Sequence, residues 1–176
     1  MAIRSSMTDL IARVRTLIGD SKKKVSDEDV QAFLDANSEY ITLYALEPVP
    51  SQSGTTISYL TYRDKEGWAW ESNSVLQDTS GTSLTPSTSY WLIGEWTFSA
   101  THNYVQISGR RFDLYGAAFD ACAAYIAALS DEFDFEADKK KFYRSQTANT
   151  IMMLMASYEN RRRLRPVSMG VSDVRC

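Results

Sequence analysis

A reaction needs groups that can move protons, attack carbon or bind metal, and this chain has few of them at workable spacing. Its one histidine, His102, sits in the polar run Ala100-Thr101-His102-Asn103. A Ser-His-Asp or Cys-His site would have to use it, and no Gly-x-Ser-x-Gly elbow accompanies it. An imidazole in such a loop is expected to be solvated. The eight glycines are scattered singly, so no glycine-rich loop is formed to cradle phosphate. One histidine with the distant Cys122 and Cys176 cannot supply zinc ligands at ordinary spacing. The two cysteines read as free thiols of a reducing cytoplasm, a disulfide being the weaker alternative. The expectation is a protein that is not an enzyme and uses no cofactor or metal.

Charge is the next resource. The carboxylates of Asp131, Glu132, Asp134, Glu136 and Asp138 are right for a hard cation. However, Phe133 and Phe135 interrupt them and the calcium-loop order is missing, so a capped helix-to-helix turn pinned by its phenylalanines is the better reading. Lys22–Lys24 and Lys139–Lys141 read as a solvated turn and a helix surface. Arg161, Arg162, Arg163 and Arg165 allow two readings. Arginines at a helix end before a flexible tail suit an acidic partner, and a helix C-terminus also attracts cations with no partner at all. The net charge of -3 argues against a general nucleic-acid binder. Met152, Met153 and Met155 beside Ile151 and Leu154 form a soft apolar face, for core packing first and an interface second. Trp68, Trp70, Trp91 and Trp96 have the same two uses.

The elements that would position these groups follow from periodicity. Arg110–Leu129 repeats apolar residues at three- and four-residue steps, filled in with alanines, and predicts a central buried helix. Thr8–Ile18 is amphipathic and stops at Gly19. Ser26 with Asp29 is a capping-box start for a second helix running to about Leu43. Pro48 and Pro50 end this part. From Ser51 to Gly109 the residues turn to Ser, Thr, Gly, Tyr and Trp, with strands predicted at Thr55–Tyr62, at Trp68–Glu71 reaching Gln77, at Tyr90–Phe98 with a bulge at Gly94, and at Tyr104–Ile107. A last helix is predicted over Ala137–Asn160. No apolar run approaches the ~20 residues of a membrane span, and arginines interrupt the N-terminus where a signal peptide would need an apolar core. The expected architecture is α+β: a bundle of about four helices with an inserted small antiparallel β module and an extended C-terminal tail. Residues 1–50 hold the first helices, 51–109 the β module, 110–160 the later helices and 161–176 the tail.

The run Asp9-Leu10-Ile11-Ala12-Arg13-Val14-Arg15-Thr16-Leu17-Ile18-Gly19-Asp20, followed by Val25–Asp35, resembles the opening of the head-to-tail connector proteins of tailed bacteriophages. The later matches are Val105–Gly109 leading into Phe112–Ala118, then Phe133-Asp134-Phe135 and Lys141–Gln146. The resemblance spans about two thirds of the chain and rests on structural patterns rather than a catalytic signature. It implies a virion protein at the head-tail interface of the portal vertex, present in the host cytoplasm during assembly. Its partners would be the portal protein, identical subunits in a ring (a dodecamer in most members) and a stopper or tail-completion protein. Genomic DNA would pass through the channel without sequence-specific binding, and no membrane is involved. The carboxy-terminal arm of such adaptors docks on the portal; here that role would fall to Arg161, Arg162, Arg163, Arg165, Val167, Met169, Val171 and Val174. Trp68, Trp70, Trp91, Met152 and Met155 are the candidates for subunit or tail-side contacts. The alternative is a small ligand- or glycan-binding module using Trp68, Trp70 and Trp91.

Overall fold

The computed structural model describes residues 2–20, 23–53, 55–130 and 138–163. Lys22, the acidic run 131–137 with Phe133 and Phe135, Arg165, Val167, Met169, Val171, Val174 and Cys176 lie outside the described residues.

After a short 3-10 turn at Ser5–Met7, helix α1 spans Thr8–Ile18 and buries Leu10, Ile11, Val14 and Ile18. It stops where Gly19 takes the left-handed conformation at φ 69°, which costs glycine no Cβ clash. Helix α2, Asp27–Ala36, opens on Ser26, whose side chain accepts the Asp29 N–H at 3.1 Å. Helices α3 (Leu114–Ser130) and α4 (Asp138–Glu159) form an antiparallel pair, since Tyr115 at the start of one lies 5.8 Å from Tyr158 near the end of the other.

The chain is not a helical bundle with a small β insert. Among the described residues, eight strands form two antiparallel sheets. In the first, β8 (Gln106–Phe112) is central, flanked by β1 (Ser38–Ala45) on one side and by β4 (Ala69–Trp70) and β5 (Val75–Gln77) on the other. In the second the order is β2 (Glu47–Ser53), β3 (Thr56–Arg63), β7 (Glu95–Thr97), β6 (Thr88–Tyr90). The β region therefore starts at Ser38 and runs through Phe112, with strand pairings joining residues far apart in the chain.

Four local readings change for physical reasons. The second helix ends at Ala36, not near Leu43: Asn37 caps its last carbonyls, and Tyr40, Ile41 and Tyr44, β-branched or aromatic, then pair with β8. Pro48 and Pro50 do not end a helical part but lie in β2, an edge strand, where a missing N–H is tolerated. Tyr90–Phe98 is a hairpin rather than a bulged strand. Gly94, at φ 65°, makes its turn, and a Cβ there would sit 2.8 Å from both the Asp64 Cβ and the Trp68 carbonyl oxygen. The central helix starts at Leu114 instead of Arg110, because Arg110, Arg111 and Phe112 complete β8.

Two cores result. One joins α1, α2, α3 and α4, and takes Ala69 and Phe112 from the first sheet. The other lies between the sheets and is built on Tyr62, Trp70, Trp96, Phe98 and Ile107.

Candidate functional site

Helices, sheets and the end of α4 meet at Trp68. Alternation along β8 sends Phe112 to the helices and turns Arg111 to the same face as Ile107, toward the sheet interior. There the buried Arg111 guanidinium lies 4.4 Å from the centre of the Trp68 ring and 5.3 Å from that of Tyr44. It donates to Glu39 Oε1 at 2.8 Å and pairs with Glu66 at 3.4 Å. Glu66 also accepts the Trp68 indole N–H at 2.6 Å. A second guanidinium, that of Arg163, lies 4.1 Å from the Trp68 ring centre and 3.6 Å from the Glu66 carboxylate, and also donates to the Glu66 carbonyl. The indole face thus holds cations by its quadrupole as well as by burial.

The approach to Arg163 is equally constrained. Its backbone N–H donates to Asp113 Oδ2 at 2.7 Å, while Asp113 Oδ1 caps α3 by accepting the N–H groups of Tyr115 and Gly116, each at 3.1 Å. Arg161 lies over the Tyr115 ring at 5.6 Å and Arg162 over Phe119 at 5.2 Å. The Tyr158 hydroxyl donates to the Leu17 carbonyl at 2.7 Å, tying the end of α4 to α1. Burial raises the pKa of that phenol. Beside this junction a cleft of about 470 Å³ opens between α1, the β6–β7 loop and the start of α3. Leu17, Leu92, Ile93 and Trp68 line it, with Arg13 and Arg163 as its cations.

Of the candidate arginines only Arg163 reaches Trp68 among the described residues, Arg161 and Arg162 lying over Tyr115 and Phe119, and the junction does not gather the rest. Trp70 is fully buried between the sheets, its indole N–H donating to Asp64 Oδ2 at 2.8 Å. Trp91 is half-buried, 5.4 Å from Trp96. Met152 is exposed and Met155 half-buried against the helical core, so the two do not form one face. His102 is not simply solvated: its ring lies 4.9 Å from Phe98, and the Tyr62 hydroxyl bonds to both its carbonyl and its N–H. Cys122 is a buried free thiol, pushed up to about 11 by desolvation.

Sequence reasoning missed Arg13, Glu66, Arg111 and Asp113 as members of this site. A signal existed for two of them. The alternation of Val105–Ile107 continues past Gly109 to Phe112, and an aspartate directly before Leu114 is an ordinary helix N-cap. Glu66 and Arg13 carried no local signal, since only the fold brings them to Trp68 and the cleft.

Neither family models, curated proteins nor solved structures match this chain. Among the described residues no cluster of His, Cys, Asp and Glu could hold a metal ion, and no helix is long and apolar enough to cross a membrane. What the junction can do chemically is bind: it offers arginines backed by aromatic rings, beside a partly apolar cleft.

Proposed function

We propose that this chain is a structural virion protein, a head-to-tail adaptor that forms a ring below the portal of a tailed bacteriophage. In this reading the ring extends the DNA channel and supports a stopper or tail protein, and the chain assembles with partners rather than turning over a substrate. The motif resemblance from Asp9 to Gln146 supports this reading. The observation that carries the reading in the molecule itself is the anchoring of Arg163 on Trp68, Glu66 and Asp113. A segment that must reach a neighbouring protein needs a fixed origin, because a loose one loses more conformational freedom on docking. Residues 164–176 start from such an origin. The glycan-binding alternative draws no support from the geometry: Trp70 is enclosed, and Trp68 already carries two guanidiniums.

Electron microscopy of the purified chain mixed with tailless capsids or portal rings of the same phage tests the proposal. Added ring density at the portal vertex is the expected result, and well-folded protein without such density overturns it. Deleting Val167–Cys176 is expected to leave the fold intact and abolish docking; normal docking by the truncated chain would remove the arm's assignment.

A further inference from the structure

The cleft beside Trp68 is bordered by cations that the fold leaves without a counter-charge. Arg163 is not one of them, since Glu66 already holds it. Arg13, Arg161 and Arg162 are exposed, and none forms an ion pair among the described residues. Three aromatic rings gather them. Arg161 lies over Tyr115, and Arg162 over Phe119, one turn further along α3. Arg13 lies one turn before Leu17 on the same face of α1 and lines the cleft with it. The Tyr158 phenol is raised by burial and then by Cys122 and Tyr115, and the charges of Arg161 and Arg13 pull it back, which puts both cations near one hydroxyl. A guanidinium lying flat on a ring keeps its N–H edge for a partner.

The nearby carboxylates do not supply that partner. Asp113 accepts three backbone N–H groups. Asp120 accepts the Asn37 amide at 2.6 Å, and Glu66 is shared by Arg111 and Arg163. Asp9, one turn before Arg13, and Glu159, at the end of α4, form no ion pair with the three arginines. Next to these cations Leu17, Leu92 and Ile93 wall the cleft, and Ile93 is 57% exposed. The combination selects among anions. A DNA duplex would offer phosphates to the guanidiniums, but its convex backbone would leave the concave apolar walls unfilled. A protein segment with carboxylates beside bulky apolar side chains answers both.

We infer that this surface receives an acidic segment of another protein, its carboxylates on Arg13, Arg161 and Arg162 and its apolar side chains against Leu17, Leu92 and Ile93. The inference goes beyond the adaptor reading, which concerns the arm that follows Arg163. Arg161 and Arg162, laid back on α3, receive a partner here rather than reach for one.

Fluorescence anisotropy of the full-length chain tests the contact, with a short fluorescein-labelled peptide in which glutamates flank phenylalanine and leucine. Saturable binding is expected, with a Kd on the order of 0.1–1 mM. Arg13→Gln is expected to weaken it roughly threefold and the double Arg161→Gln, Arg162→Gln roughly tenfold, the scale of exposed ion pairs. Ile93→Ser is expected to weaken it about threefold through lost apolar contact. Arg63→Gln, on the second sheet, is the control and is expected to change nothing. Far-UV circular dichroism checks the folding of each variant, and Arg162→Gln alone replaces the double variant should that one unfold. No saturation up to about 5 mM peptide overturns the contact. Equal binding of a peptide with glutamine in place of glutamate, or unchanged affinity in the folded arginine variants, overturns it too. So does a labelled DNA duplex that binds more tightly than the peptide and loses affinity in the same variants, since the patch then belongs to phosphate. Peptide binding by a chain that adds no ring density at the portal leaves the contact standing and removes the adaptor reading. A portal ring built by a chain that ignores the peptide does the reverse.

Discussion

The most deeply buried residues of α3 are Ala117, Ala118, Ala121 and Cys122, with Tyr125 and Leu129 buried beyond them, whereas the largest buried side chains between the sheets are Tyr62, Trp70, Trp96 and Phe98. The helical layer gains stability from close backbone approach, with many small contacts and few polar atoms to satisfy. The sheet layer instead places large burial on a few rings, three of which carry a polar atom. Trp70 answers with Asp64 and Tyr62 with the His102 backbone, while the Trp96 indole N–H finds no partner among the described residues. The contrast teaches that the helices should be sensitive to added volume and the sheets to removed volume or a lost acceptor.

The largest effect expected from this contrast is Trp70→Ala, at about 3–5 kcal/mol of stability lost in urea unfolding. A loss under about 1 kcal/mol would mean that the sheet core repacks freely. Next comes alkaline pH. The Cys122 thiol has an ordinary value of 9.0 and is raised to about 11 in the fold. A raised folded value means the contribution is fully present below about pH 9 and is lost as pH rises through about 11, an effect on the order of 2–3 kcal/mol. Cys122→Ala should flatten that decline, leaving the share of Tyr158, which burial also raises. A pH profile identical to wild type would show the thiol to be solvated.

Ala121→Leu should cost about 1–3 kcal/mol by overpacking, and a neutral result would show slack between α3 and its neighbours. Asp64→Ala should cost about 1–3 kcal/mol by stranding the Trp70 N–H, seen as a lower urea midpoint with a changed tryptophan emission. The smallest effect is Arg163→Ala, about 0.5–1 kcal/mol. It should nevertheless speed amide exchange at residues 161–163, and unchanged exchange would show that Asp113 holds this stretch alone.

The same contrast explains what could be read in advance. Helix periodicity is local, so α1, α3 and α4 were legible to within a few residues, down to the Gly19 stop and the Ser26 cap. The sheets were not, because strand identity depends on partners far along the chain. Residues 38–43 continued the pattern of the second helix and, with Tyr44 and Ala45, became a strand through pairing with Gln106–Phe112. Val75–Gln77, expected to continue the strand of Trp68–Glu71, is a separate strand, since Glu71–Ser74 turns at the point where Ser74 packs on Gly109. The site was half legible for the same reason. Arg161–Arg163 and Trp68 stood out by composition, while Arg111, Glu66 and Asp113 matter only because the two sheets and α3 converge on one indole.

The anchoring of Arg163 also has a mechanical side. Tension applied through residue 164 does not first peel the last turn of α4. It enters at Arg163 and divides between the Asp113 cap, which leads into α3, and Trp68 with Glu66, which lead into the sheets. The load is shared across both layers at once, so the molecule should resist being pulled from residue 163 better than the modest strength of each single contact suggests.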